Sequence, residues 1–137
     1  TIVEPEGAFL AAERITAGEL QQLEDYIQQS IEPDCTREWF RALDVKFHLT
    51  IAKASGNSYL ESAVRQIRTQ INPALDLMPY NEQIRSINYG VHSEILEALK
   101  AHDPVRSQER MKNHIKFSAE AIYARLIAKE SQEEEEH

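Results

Sequence analysis

Two residues that could bind a metal ion lie one helical turn apart in the first half of the chain. Asp44 and His48 are four positions apart, which places both side chains on the same face of a helix. Phe47 and Ile51 lie near them, so this face points at least partly inward. A buried aspartate is costly unless something compensates its charge. A divalent metal ion would do so, because carboxylate and imidazole groups are both good metal ligands.

Two further histidines, His92 and His114, lie among apolar residues at helical spacing. In an antiparallel bundle such positions can meet around one centre, giving one aspartate and three histidines with coordination positions left open. The alternative is a structural role, since a histidine on an apolar stripe is more often a hydrogen-bonded core residue, and pairs four apart occur by chance. The residues alone leave both interpretations open. His102 and His137 are expected at the surface and carry no argument.

Helix start and stop signals divide the chain into about six helices that must position these side chains. Glycine and proline are scarce, with 4 and 5 residues, and alternating runs rich in valine and threonine are missing. These features favour an all-α fold, and the short loops predict an antiparallel bundle. The expected signals are a first helix opened by Pro5, a second capped by Thr16 and ended by Pro33, a third capped by Asp34 or Thr36 and ended near Ser55 and Gly56, a fourth capped by Ser58 and kinked by Pro73, a fifth over about residues 82–101, and a sixth started by Asp103 and Pro104.

Composition limits the classes of function. The 137 residues suit one domain, and the net charge of −8 repels phosphate backbones and anionic membranes, so this segment is not expected to contact DNA. A single cysteine fits a reducing cytosol. The sequence has no signal-peptide pattern and no apolar run of about 18 residues that could span a membrane. These features together predict a cytoplasmic location without a membrane partner. Residue 1 is threonine rather than methionine, which leaves room for a preceding domain.

An ordered set of motifs resembles the FCD domain (the FadR C-terminal domain), the effector-binding half of many GntR-type transcription regulators. The resemblance extends to about residue 126, and the set is specific although each motif alone is loose. The motifs are residues 9–12, 15–16, 19–20, 44–48, 51–52, 54–60, 92–99, 103 and 111–115.

The resemblance implies an antiparallel bundle of six to seven helices that forms a homodimer and binds a small organic acid as its effector. Family members follow an N-terminal winged helix-turn-helix domain, which this chain lacks, so DNA would be bound only through that absent domain. We therefore assign residues 1–130 to an effector-binding and dimerisation domain and residues 131–137 to an acidic C-terminal tail.

The metal-binding branch of the family holds zinc, nickel or a similar ion through one aspartate and three histidines. These positions fall on Asp44, His48, His92 and His114, so the resemblance implies one divalent transition metal ion per chain: zinc, nickel, iron or manganese. The family often has glutamate just before the third ligand, where this chain has Val91. That departure leaves the ligand set intact but weakens any effector inferred from relatives.

Three polar residues are expected to bind the far end of the effector. Arg68 interrupts an apolar stripe, and a buried arginine seeks an anion. Asn88 lies one turn before His92, and Arg41 lies about one turn before Asp44. An internal salt bridge is an equal alternative for Arg68, and a surface position is the alternative for Arg41.

Two other functions compete with a metal-dependent sensor. A metalloenzyme would want a general base beside the metal, and neither an H-E-x-x-H motif nor a pair of E-x-x-H motifs occurs in the sequence. We therefore do not expect an enzyme. A metal-free dimerisation or effector-binding module remains as the main alternative, although all four ligand positions are filled.

Overall fold

The computed structural model describes residues 2–136, with side chains described through residue 135. The described residues contain α-helices and no β-strand, which confirms the predicted all-α fold. The six helices are α1 (Val3–Arg14), α2 (Ala17–Ser30), α3 (Arg37–Ala54), α4 (Ser58–Leu75), α5 (Glu82–Lys100) and α6 (Pro104–Glu136). None of these helices is both long and apolar enough to cross a membrane.

Several of the helix boundaries follow the signals in the sequence. Thr16 and Glu19 form the predicted capping box, in which the Glu19 N–H donates to Thr16 Oγ1 at 3.1 Å and the Thr16 N–H donates to Glu19 Oε1 at 3.0 Å. Asp103 accepts from the N–H of Arg106 at 3.1 Å and starts α6 as predicted. Gly56 ends α3 at a φ of 73°, the left-handed conformation that glycine adopts without strain.

The expected start of the fourth helix is wrong by one residue. Asn57, not Ser58, is the cap, because its Oδ1 accepts from the N–H of Tyr59 at 2.9 Å and of Leu60 at 3.2 Å. Asparagine is as good a capping residue as serine, and the two are adjacent. Of the two caps considered for α3, the structure has Thr36, which accepts from the N–H of Trp39 at 3.1 Å.

Three expectations about prolines differ in detail from the structure. α1 begins at Val3, so Pro5 lies within its first turn, where a missing N–H costs nothing. α2 ends at Ser30, before Pro33, and α4 continues two residues past Pro73. The acidic residues at the C-terminus continue α6 through Glu136, and the side chains of residues 131–135 are exposed.

α1 packs against α3, α4, α5 and α6. Its buried face consists largely of small residues (Gly7, Ala8, Ala11 and Ala12), which let neighbouring helices approach closely. Larger apolar side chains from the other helices complete the core around it. The main buried cluster contains Ala8, Ala11, Ala12, Ile15, Leu23, Ile27, Phe47, Ile51, Ala54, Ile95, Leu96, Leu99 and Met111.

Candidate metal centre

The central helix of the site is α3, whose buried face carries Asp44 and His48. Asp44 is 7% exposed and His48 is 1% exposed. The apolar residues of the same face, Phe47 and Ile51, belong to the main core cluster, and their burial forces the two polar side chains inward with them. This is the orientation that the spacing of the aspartate and histidine predicts.

α5 and α6 each bring one histidine to the same place. His92 is buried on the face of α5 that also buries Ile95 and Leu99. The ring of Phe47 stacks on the ring of His92, with centroids 4.0 Å apart and an angle of 3° between planes, which fixes the orientation of the imidazole. His114 lies one residue before Ile115 on α6 and is half-buried, so solvent reaches the cluster from this side.

The four side chains converge as the sequence predicts. One ligand atom from each of Asp44, His48, His92 and His114 lies within 4.8 Å of the others. Oδ1 of Asp44 is 3.5 Å from Nε2 of His48 and 3.3 Å from Nε2 of His92. The ring centroid of His114 is 5.3 Å from that of His48 and 5.1 Å from that of His92.

The cluster fits a metal ion by its chemistry and its dimensions. Nε2 of His48 and Nε2 of His92 are buried and have no hydrogen-bond partner among the described residues. Buried polar atoms without a partner are rare and costly, and a metal ion would satisfy both lone pairs. Bonds from zinc to nitrogen or oxygen are about 2.0–2.2 Å, so the ligand atoms of a tetrahedral ion lie about 3.3–3.6 Å apart. The distances from Oδ1 of Asp44 to Nε2 of His48 and to Nε2 of His92, 3.5 Å and 3.3 Å, have this spacing, and the whole set of four ligand atoms lies within 4.8 Å.

The charges of the cluster suit a cation. Burial alone would raise the pKa of Asp44, but the contacts and charges of His48 and His92 hold it well below its usual range, so the carboxylate is ionised. Burial lowers the pKa of His92. Burial and the neighbouring His92 hold the pKa of His114 well below its usual value. Both of these histidines are therefore neutral near pH 7, the state in which imidazole binds a metal.

Glu4 is a member of the site that the sequence analysis missed. It lies in the first turn of α1, is 4% exposed, and places Oε1 at 2.8 Å from Nδ1 of His48. Arg68 donates two hydrogen bonds to the same carboxylate, from Nε to Oε1 at 3.2 Å and from Nη2 to Oε2. Burial alone would raise the pKa of Glu4, but His48 and Arg68 outweigh it and lower the pKa to about 2. Glu4 therefore carries a buried negative charge next to His48, on the side of the ring away from Asp44.

A signal for Glu4 was present in the sequence. Glu4, Ala8, Ala11 and Ile15 recur at intervals of four, three and four residues, which places them on one helical stripe. All four are buried. The glutamate resembled an ordinary acidic residue of a helix N-terminus, where such residues are common on the solvent side.

The three residues predicted to bind an effector have different surroundings. Arg68 is buried and paired with Glu4, and its Nη1 lies 3.8 Å from Oδ2 of Asp44. Arg41 is partly buried, with Nη1 at 3.7 Å from Oδ2 of Asp44 and Nη2 donating to the carbonyl of Leu75 at 3.2 Å. Its Nε makes no hydrogen bond among the described residues but lies 3.6 Å from Oδ1 of Asp76. Asn88 is half-buried one turn before His92 and takes no part in the polar contacts of the described site.

His102 lies away from this cluster. His102 is exposed just after the end of α5, and its Nδ1 is 2.8 Å from the carbonyl oxygen of Ala12. His137 lies outside the described residues. His102 is thus a native histidine against which the four members of the cluster can be compared.

Two solved structures have folds similar to the fold of this chain. The E. coli protein McbR/YncC superposes with a TM-score of 0.81 at 19% identity, covering 90% of this chain and 60% of that protein. A Streptococcus agalactiae GntR protein gives a TM-score of 0.66 at 32% identity, covering 84% of this chain and 51% of that protein.

Sequence comparison identifies the family. A protein of Bacillus subtilis strain 168, named as the uncharacterized HTH-type transcriptional regulator YcbG, is 28% identical over 113 residues, which are 82% of this chain and 47% of that protein. The chain thus spans about half the length of the curated relative that it matches. Residues 1–117 match the FCD domain. The chain therefore belongs to the FCD domain family of GntR-type transcription regulators.

Proposed function

We propose that this chain is the metal-dependent effector-sensing domain of a GntR-type transcription regulator. In this proposal Asp44, His48, His92 and His114 hold one divalent transition metal ion. The observation that supports it most strongly is the pair of buried Nε2 atoms, on His48 and His92, that face the Asp44 carboxylate without hydrogen-bond partners. A structural network of histidines would pair these atoms, because leaving them unpaired is costly.

The effector in this proposal is a small organic acid. A bound ion would supply a positive charge and open coordination positions for a carboxylate oxygen. His114 is the half-buried member of the cluster, so the effector has a route of entry at α6. Arg41 places Nη1 at 3.7 Å from Oδ2 of Asp44 and is the better placed arginine for the far end of the effector. The Arg68 fork already holds Glu4.

The rest of the proposal extends to this chain what its family resemblance implies. Residues 1–130 form the sensing and dimerisation domain of a homodimer, residues 131–137 extend it as an acidic segment, and DNA is bound by a winged helix-turn-helix domain outside this chain. Effector binding controls that domain only if the effector has different affinities for two arrangements of the protein.

Metal content tests the proposal directly. We expect about one transition metal ion per chain by plasma mass spectrometry, after purification without an affinity tag or chelator and reconstitution with zinc, nickel or manganese. His92→Ala and His114→Ala should each lose most of the ion because they remove a direct ligand. The matched control is His102→Ala, an exposed histidine outside the cluster, which should keep full occupancy. Wild-type protein that takes up no metal would refute the metal site, and the four residues would then be a buried polar network in a metal-free module.

The effector class is tested by thermal unfolding of the zinc-loaded protein with a panel of small hydroxy acids and dicarboxylates. We expect at least one acid to raise the melting temperature of the loaded wild type and to have no effect after the metal is removed. Arg41→Met should reduce the shift, because it removes the guanidinium group beside Asp44. An equal shift with and without metal would contradict coordination of the effector by the ion.

A further inference from the structure

Glu4 connects the first turn of α1 to the metal centre on α3. We propose that Glu4 is the positioning residue of this centre: it holds the proton of His48 on Nδ1, so that Nε2 of the same ring is directed to the ion. This inference rests on the proposed metal site and assigns a role to a residue that is not itself a ligand. Oε1 of Glu4 lies 2.8 Å from Nδ1 of His48, on the side of the ring opposite to Asp44.

The two nitrogens of His48 have different surroundings. Nδ1 faces the Glu4 carboxylate at the distance of an ion pair, although the ring N–H is not aligned with that oxygen. Nε2 faces Oδ1 of Asp44, within the cluster that also contains His92 and His114. A neutral imidazole carries one proton, and of two neighbouring carboxylates the closer one has the larger influence on its position. Glu4 lies 2.8 Å from Nδ1 whereas Asp44 lies 3.5 Å from Nε2, so the proton is favoured on Nδ1. The lone pair of Nε2 is then free for a metal.

Glu4 can orient His48 because Arg68 holds it from behind. Nε and Nη2 of Arg68 donate to the two carboxylate oxygens of Glu4, and both residues are buried, at 4% and 5% exposure. The carboxylate therefore cannot turn away from the imidazole without breaking a two-point contact. Carboxylate–histidine–metal arrangements of this kind fix the ring and raise its basicity toward the ion. Three helices thus support one ligand: α4 through Arg68, α1 through Glu4, and α3 through His48.

The test compares Glu4→Gln, which removes the charge but keeps the shape, with Glu13→Gln, an exposed glutamate on the same helix. We expect zinc affinity, measured by competition with a chromophoric chelator, to fall about 10–100-fold in Glu4→Gln, the usual effect of losing such a partner. Affinity should be unchanged in Glu13→Gln. If Glu4→Gln does not fold, the double variant Glu4→Gln/Arg68→Met removes the carboxylate without leaving a buried arginine unpaired.

Nitrogen-15 NMR of the His48 ring separates positioning from a purely structural role. In zinc-free wild type, at a pH where the ring is neutral, we expect the proton on Nδ1. In Glu4→Gln the proton should redistribute between Nδ1 and Nε2, whereas Glu13→Gln should match the wild type. An unchanged His48 tautomer in Glu4→Gln would overturn the proposal, even if zinc affinity falls. The two proposals can fail separately, because the His48 tautomer is measured without metal. If the wild type binds no zinc, the metal site is refuted, but the NMR measurement still tests whether Glu4 controls the His48 proton.

Discussion

Replacing Arg68 with methionine is expected to lower the free energy of unfolding by about 3–5 kcal/mol, the usual loss when one partner of a buried ion pair is removed. Arg68 is 5% exposed and donates twice to the equally buried Glu4. Without the arginine, the carboxylate keeps only the His48 contact and stays out of reach of water. Chemical denaturation monitored by circular dichroism measures the loss.

The matched control is Arg65→Met, which removes an arginine one turn earlier on α4. Its side chain is 62% exposed and lies 3.6 Å from Glu61, so we expect a change of at most about 1 kcal/mol. The double variant Glu4→Gln/Arg68→Met should recover part of the loss, because it no longer buries an unpaired charge. An Arg68→Met variant no less stable than Arg65→Met would show that the buried pair contributes nothing to stability.

The stability lost in Arg68→Met should also depend on pH, and it should become smaller as pH falls. The pKa of Glu4 is lowered from 4.5 to about 2 in the folded wild type. The stability that Glu4 contributes is therefore fully present above pH 4.5 and disappears as pH falls toward 2. The difference between wild type and Arg68→Met should shrink over the same range, because the carboxyl group becomes neutral in both proteins. A difference that stays constant from pH 5 to pH 3 would contradict the role of this charge.

Zinc is expected to stabilise the protein by about 4 kcal/mol when its free concentration is 1,000 times the dissociation constant. A divalent ion held by four side chains binds the folded state and has no preformed site in the unfolded chain. Thermal and chemical unfolding with buffered zinc measure the increase. The gain should be lost in His48→Ala and retained in His102→Ala.

Proton release should accompany zinc binding, mainly from His48. Burial and Arg68 lower the pKa of His48, but Glu4 and Asp44 outweigh them, so its pKa lies above the usual value of 6.5. His92 and His114 have lowered pKa values and release few protons. Calorimetry in two buffers of different ionisation enthalpy should show more protons released per zinc ion at pH 6 than at pH 8. Zinc affinity that does not change between pH 6 and 8 would contradict this assignment.

In the metal-free protein, the stability that His48 contributes falls as pH rises, whereas zinc affinity rises with pH. A histidine whose folded pKa is raised contributes stability that is complete below its unfolded pKa and is lost as pH rises through its folded pKa. His48 should therefore stabilise the metal-free protein most on the acid side of neutrality, in the range where protons compete best with zinc. Stability curves with and without zinc should diverge as pH rises.

The helices could be predicted because their signals are local, whereas local signals left the role of the four polar residues open and only the resemblance to the FCD domain joined them into one candidate site. The spacing of Asp44 and His48, the apolar stripes around His92 and His114, and the capping box at Thr16 each depend on residues within a turn or two of one another. The cap of α4 could not be assigned from the same information, since Asn57 and Ser58 are adjacent and both are good caps.

The arrangement behind the cluster could not be predicted, because it depends on distant pairs. Arg68 is the buried, anion-seeking arginine that its apolar stripe indicates, but its anion comes from Glu4, 64 residues earlier in the chain. No spacing rule pairs a first-turn glutamate on one helix with an arginine on another. The pairing depends on the packing of α1 against α3 and α4, which brings the two residues together.

The uneven burial of the four proposed ligands would have a kinetic consequence for a bound ion. Asp44, His48 and His92 are enclosed by the bundle, whereas His114 remains partly open to solvent on α6. An arriving ion would meet His114 first and shed its water as it moves inward to the other three. Departure would follow the reverse order, so the lifetime of the bound ion depends on how readily one solvent-facing ring swings aside. A stiffer or bulkier neighbourhood around His114 would slow exchange in both directions without altering the equilibrium.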